Sequence, residues 1–232
     1  MDHYFTVNAE KYRKGRTFNI VRPASLNHPK DNAVMFVIEK YAEKAGVFET
    51  VENCLIFWPE ETEIPEALDR LHAVIPCADP HGSYCRFFQE NGITYLPDMG
   101  TVQNINGAWI DDRAEIGKNL QIFPGAYVGG SAKIGNDVFI GAGTKIVGEA
   151  EIGDHVVIRE NTVIGADGLT TDRDERGRAL TMPQFGKVVL EDDVQVGAGV
   201  VIARGAIDET RICRGAKIDN CVFISHNVTV GE

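Results

Sequence analysis

The pattern of apolar positions divides the chain in two. From Ile110 onward an apolar β-branched residue returns at every sixth position: Ile110, Ile116, Ile122, Val128, Ile134, Ile140, Ile146, Ile152, Ile158 and Ile164. Two places before each stands a residue that is mostly small or β-branched, as at Ala114, Ala126, Ala132, Val138, Thr144, Ala150, Val156 and Thr162. Gly commonly follows, as at Gly117, Gly129, Gly135, Gly141, Gly153 and Gly165. A period of six matches neither the 3.6 residues of a helical turn nor a long alternating strand. It fits short strands joined by tight corners, three to a coil of about eighteen residues, which is a parallel β-helix of triangular section. The branched residue fills the interior, the small one fits beside it, and Gly supplies backbone freedom at the bend. One coil cannot bury its own interior, so stability must come from neighbours stacked about 4.8 Å apart.

The frame breaks twice. After Ile164 it resumes at Leu190, Val196 and Ile202, and the stretch between, LTTDRDERGRALTMPQFGK at 169–187, is charged and too long for a corner. Four extra residues then separate Ile202 from Ile212, after which Ile212, Ile218, Ile224 and Val230 run in frame. Long insertions in solenoids sit on the outside, often on the working face. A solvated loop and a cover over a substrate groove both fit 169–187.

Before about residue 100 the period is absent and helical and strand-like stretches alternate. Residues 40–51 and 64–71 read as helical, Cys54–Trp58 and Ala73–Pro76 as short buried strands, and Pro80–Asn91 as a helix leading out. The expected architecture is mainly β: a small α/β domain over 1–100 and a parallel β-helix over 101–232, with an insertion loop at 169–187. The junction falls near Leu96–Asn106, where Pro97, Gly100 and Gly107 punctuate the chain.

Composition narrows the function more than the fold. The 232 residues carry 23 Lys plus Arg against 34 Asp plus Glu, a net charge of −11. That balance argues against a general nucleic-acid binder, which needs clustered Lys and Arg. No apolar run approaches the length of a membrane span, and the opening MDHYFTVNAEKYRKGR has no apolar signal core, so a cytoplasmic protein is expected. The five cysteines contain no CxxC pair and read as reduced, mostly structural thiols. The six histidines include no HExxH and no short His pair, so no metal site is expected.

More specific motifs crowd the carboxyl half: GADG at 165–168, PQFG at 183–186, RGAIDET at 204–210, KIDN at 217–220 and ISHNVTVG at 224–231. In this order and spacing they resemble the UDP-3-O-(3-hydroxyacyl)glucosamine N-acyltransferase family of lipid A biosynthesis. ASLN, VMFVIEKY as a lead into a helix, and the order of elements up to SYCRFFQ are similar to that family's uridine-binding domain. The resemblance implies a left-handed β-helix and a homotrimer with sites in clefts between β-helices. It implies transfer of a 3-hydroxyacyl group from the phosphopantetheine of acyl carrier protein to the 2-amino group of a UDP-3-O-acylglucosamine, with no bound cofactor. It places the catalytic His at His226 and a substrate-positioning Asn at Asn220. The uracil box corresponds to Phe36 and Tyr41, here five apart and with Ile38 and Glu39 where the family has Asn. Ala203 replaces the usual Asp before RGA, and the chain ends before the family's last coils and C-terminal helices, so a shortened relative is expected.

The chemistry agrees with that placement of His226. An amine attacking a thioester loses a proton as the tetrahedral intermediate forms, and imidazole is a suitable acceptor at neutral pH. The repeat frame puts His226 two residues after the inward Ile224, hence at a solvent-facing corner, and Asn220 in the same phase after Ile218. An ordinary corner histidine is solvated and idle; the SHNVTVG context after KIDN is what singles this one out, and His155 lacks such a context. In register, Arg204 lies one coil from His226, a cation expected to help keep that imidazole a base. Two alternatives remain at this point: an acetyl-CoA-dependent nucleotide-sugar N-acetyltransferase, and a shortened, non-catalytic trimeric binding or scaffold protein.

Overall fold

The computed structural model describes residues 3–95, 100–174 and 176–232. They fall into two compact units, one of residues 1–95 with 169–183 and the other of 96–168 with 184–232. Of the junction expected near 96–106, residues 96–99 lie outside the described residues.

In the second unit, every in-frame branched residue lands on a short strand, and the strands form three parallel sheets. One turn of the coil advances the chain by one strand in each sheet. Ile122 therefore pairs with Ile140 and Ile140 with Ile158, while Ile134 pairs with Ile152 and Ile146 with Ile164. Backbone bonds run coil to coil at each step, such as Gly141 N–H to Ile158 O at 2.8 Å and Arg159 N–H to Val196 O at 2.9 Å. The interior is a dry stack in which Val128, Ile140, Ile146, Ile158 and Ile164 are fully buried. Each such side chain contributes roughly 1.5–3 kcal/mol relative to exposure. Thr144 and Thr162 share that interior because each hydroxyl donates to a backbone carbonyl, of Arg159 and Gly197, both at 2.7 Å. One corner turns through left-handed backbone at Asn119, Asp137, His155 and Asp193, with φ between 56° and 62°. Asn and Asp tolerate that region through local side-chain bonding. His155 stands exposed in this column, its ring nitrogens 3.8 Å from Asp137 and 3.6 Å from Asp193.

Both breaks leave the interior column in register, with one local shift between Ile164 and Ala166. Across the first, Ile152 pairs with Leu190, Ile158 with Val196 and Ile164 with Ile202. Across the second, Leu190 pairs with Ile212, Val196 with Ile218 and Ile202 with Ile224. The extra residues are thus extruded at corners while the interior column continues.

The first unit holds a four-stranded parallel sheet in the order Arg22–Pro23, Ala33–Phe36, Leu55–Pro59 and Ala73–Cys77. A run of 3₁₀ turns spans Glu39–Thr50, followed in chain order by helices α1 (Glu66–Leu71) and α2 (Pro80–Glu90). Pro80 at the first position and Asp79, whose carboxylate accepts from Gly82 N–H at 2.9 Å, start α2. Two expectations are corrected here. The VMF of VMFVIEKY does not lead into a helix by itself; it is a buried interior strand, as β-branched and apolar residues flanked by two sheet neighbours favour. The excursion at 169–187 is not simply a loop of the β-helix either. Thr171–Arg173 pairs antiparallel with Ala179–Thr181, and this hairpin belongs to the first unit, where it packs on α2.

Among the described residues, no helix is long and apolar enough to cross a membrane. The five cysteines are all unpaired with one another.

Candidate active site at a β-helix corner

The two insertions extrude at the same edge of the β-helix, and together they build the surroundings of His226. His226 occupies the corner between the strands Phe223–Ile224 and Thr229–Val230. Its ring packs on Gly168: a β-carbon built there would lie 2.6 Å from His226 Cδ2, so any larger residue pushes the ring aside. Gly165, at the other end of GADG, has a φ of 86° and approaches Val147 O so closely that a β-carbon would sit 2.0 Å away. Gly165 is therefore required by the backbone, and Gly168 by the position of the ring.

Between them, Asp167 reaches Arg204 at 2.6 Å. Arg204 is fully buried while Asp167 is half exposed, so the carboxylate tethers the GADG loop to the coil that carries RGAIDET. Arg204 N–H bonds Ala166 O at 2.9 Å, and PQFG zips onto the same segment through Phe185 N–H to Ala206 O at 2.9 Å and Gly186 N–H to Gly205 O at 3.1 Å. Gly186 and Gly205 approach too closely for any β-carbon on Gly186, which would stand 2.5 Å from Gly205 O. From this base, Ala206 N–H donates to Asn227 Oδ1 at 2.6 Å and Asn227 N–H donates to Thr210 Oγ1 at 2.9 Å. Asn227 turns in left-handed backbone, φ 63°, and its Oδ1 lies 3.3 Å from His226 Nδ1. GADG, PQFG, RGAIDET and SHNVTVG, scattered over more than sixty positions of sequence, are thus linked by one run of contacts in which Gly168 and Asn227 touch the imidazole.

The other expected site residues stand elsewhere. Asn220 is exposed at the preceding corner of the same coil, where its Oδ1 accepts from Ala198 N–H at 2.7 Å. It lines an open groove of about 360 Å³ with Arg159, Gln195 and Lys217. A wider groove of about 580 Å³ runs along another face over Lys133, Glu151, Asp192 and Arg214 and touches neither His226 nor Asn220. Its charges pair with each other or with neighbours, as in Arg214–Asp192 at 2.6 Å and Lys187–Glu151 at 3.0 Å, and read as a solvated face. Arg204 lies one coil below His226, as the pairing of Ile202 with Ile224 requires, with Asp167 as its ionic partner.

In the first unit, Phe36 is half-buried in an aromatic cluster, its ring centroid 5.2 Å from that of His81 and 5.0 Å from that of Tyr84. Tyr41 is exposed, with the ammonium groups of Lys40 and Lys44 5.3 Å and 5.1 Å from its ring centroid. His72 is structural: it is buried, accepts from Cys54 N–H at Nδ1 and meets Phe48 O at 3.0 Å through Nε2. Sequence reasoning missed Asp167, Gly168 and Asn227 as members of the corner, although each lies inside a motif it had marked. The four-residue surplus before Ile212 was the available signal, because it marks an edge that leaves the repeat twice in adjacent coils.

Residues 113–148 and 131–166 match the model for the bacterial transferase hexapeptide (six repeats). Among curated proteins, the chain is similar to the UDP-3-O-acylglucosamine N-acyltransferase of Francisella tularensis subsp. holarctica. The two are 52% identical over 73 residues, 32% of this chain and 22% of that protein. It is also similar to the UDP-3-O-acylglucosamine N-acyltransferase of Coxiella burnetii, 50% identical over 70 residues, 30% of this chain and 20% of the relative. The matched stretch thus spans about a fifth of the length of these relatives. Among solved structures, AntD, an N-acyltransferase from Bacillus cereus in complex with dTDP and 3-hydroxybutyryl-CoA, aligns with 53% of this chain and 72% of its own at 19% identity, with a TM-score of 0.37.

Proposed function

We propose that this chain is an N-acyltransferase that moves a 3-hydroxyacyl group from the thioester of acyl carrier protein to the 2-amino group of a UDP-3-O-acylglucosamine, with His226 as general base. The observation that carries the reading is the run of contacts that ties four separate motifs to one half-exposed imidazole, through Gly168 and Asn227. The names of the relatives support the substrate class. His226 accepts the proton that the attacking amine sheds, and Asn227 Oδ1, itself fixed by Ala206 N–H, orients the ring. Asn220 positions substrate from the neighbouring corner.

A homotrimer fits the lateral surface. Trp109, Tyr127, Lys145, Val163, Val201 and Phe223 stand in one register column on an outer face, with Trp109 48% and Phe223 66% exposed. Lys145 apart, that column is apolar, and it supports an association surface. For the uridine moiety, Tyr41 offers an exposed ring and Lys40 and Lys44 offer charge for a diphosphate, while Phe36 supports the fold from within its cluster.

The donor is tested by mass spectrometry of the products formed from UDP-3-O-acylglucosamine with hydroxyacyl carrier protein in one reaction and acetyl-CoA in another. Product from the carrier-protein reaction alone supports the proposal. Product only from acetyl-CoA identifies an acetyltransferase, and binding of the sugar nucleotide without product from either donor identifies a scaffold.

A further inference from the structure

A second cluster of reactive side chains lies in the first unit, apart from the corner just described. His81 and Cys85 are four residues apart on α2, and that spacing puts them on one face of the helix. Asp172 comes to the same face from the hairpin of Thr171–Arg173 and Ala179–Thr181. His81 Nδ1 is 2.6 Å from Asp172 Oδ2, and Cys85 Sγ is 4.0 Å from His81 Nε2. One donor atom from each of the three side chains lies within 4.8 Å of the other two. Cys85 is buried, and His81 and Asp172 are half-buried. Nothing in the acyl-transfer reading uses these groups.

We propose that His81, Cys85 and Asp172 form a binding site for a zinc-class divalent ion. Sulfur, nitrogen and oxygen together are the donors that borderline-soft, four-coordinate ions select; Ca²⁺ and Mg²⁺ take oxygen shells. Zn–S and Zn–N bonds of about 2.3 Å and 2.0 Å put sulfur and nitrogen roughly 3.5 Å apart in a tetrahedron. The present 4.0 Å therefore closes with a shift of a few tenths of an ångström. With Nε2 as the nitrogen ligand, the carboxylate must leave Nδ1 by a change of rotamer to reach the ion, and three protein donors leave the fourth position to water. Binding through Nε2 displaces the thiol proton and leaves the Nδ1 proton on a neutral imidazole, since the metal takes thiolate, neutral imidazole and carboxylate. The ion would join α2 to a hairpin 91 positions away in sequence, which already packs on α2 and bonds it through His81 and Asp172.

The test is a cobalt titration of the full chain after chelator treatment, read by absorption. The expected result is one Co²⁺ per chain with a thiolate-to-cobalt charge-transfer band, displaced by Zn²⁺. Cys221→Ser, which removes an exposed thiol outside the cluster, keeps the band; Cys85→Ala loses it. Asp172→Asn, on the half-exposed hairpin, weakens cobalt binding at least ~10-fold whether the carboxylate ligates directly or through the imidazole. Absence of a thiolate band, its survival in Cys85→Ala, or unchanged affinity in Asp172→Asn would overturn the proposal. Should Cys85→Ala fail to fold by circular dichroism, the Asp172→Asn affinity decides.

Discussion

His226 rests against Gly168 with no room for a methyl group, because a β-carbon on Gly168 would stand 2.6 Å from the imidazole Cδ2 and 2.9 Å from its Cβ. The half-exposed ring has freedom to swing away where a buried one would not. Gly168→Ala therefore acts mainly on the position of His226, with little effect on folding. A displacement of about 1 Å at a reacting group costs on the order of 100-fold in rate. The expected outcome is turnover reduced by about that factor with a thermal midpoint close to wild type. An active Gly168→Ala enzyme with unchanged kcat would show that the packing is incidental.

Asp167 holds the loop that carries Gly168, through its pair with the buried Arg204. Asp167→Asn removes the charge from that pair. A hydrogen bond to a charged group contributes roughly 1.5–3 kcal/mol, and the half-exposure of Asp167 puts the loss near the lower end. Urea unfolding should register that loss, and no change in midpoint would place the tether elsewhere.

The interior column makes a graded prediction. Ile140 is fully buried, whereas Ile116, in the same hexad phase, is 39% exposed on a strand at the end of its sheet. Ile140→Ala should cost about 2–5 kcal/mol. Ile116→Ala should cost well under half as much, because little area leaves water there. Equal losses would mean that the six-residue period does not mark the load on the core.

Much of this fold is written in the period itself. Ile or Val at every sixth position, with small or β-branched partners two before, fixes which side chains face inward, and the pairing of Ile164 with Ile202 shows that the frame survives a long excursion. What the excursion does was not legible. Its hairpin is stabilised by α2, through groups such as Asp172 and His81 that no local pattern connects. The VMF strand was hidden for the same reason: a buried parallel strand has no alternation to distinguish it from the start of a helix. Within the site, His226 was legible from its motif, whereas its neighbours Gly168, Asp167 and Asn227 become neighbours only when two insertions extrude at one edge.

Acid should loosen the β-helix. Asp111 is held well below the usual carboxylate range, chiefly by the Arg113 guanidinium and also by the backbone N–H groups of Arg113 and Gly100. Asp154 is lowered by the Asn136 N–H, and Glu191 by the Arg214 N–H and the Arg211 side chain. Each carboxyl takes up a proton more readily unfolded than folded. Their stabilisation is therefore complete above the unfolded carboxylate range of about 4 and is lost as pH falls through and below it. Denaturation midpoints should fall from pH 5 to pH 3, and Asp111→Asn should lower the midpoint at pH 7 while its difference from wild type narrows below pH ~4. A difference independent of pH would contradict the assignment.

The central claim is that His226 removes the proton from the attacking amine. The most direct measurement compares wild type with His226→Ala, both verified as folded, for transfer of a hydroxyacyl group from carrier protein to UDP-3-O-acylglucosamine, followed by mass spectrometry. Loss of a general base predicts a fall in kcat of roughly 100- to 10,000-fold with little change in sugar-nucleotide binding. Transfer at the wild-type rate in His226→Ala would contradict the account.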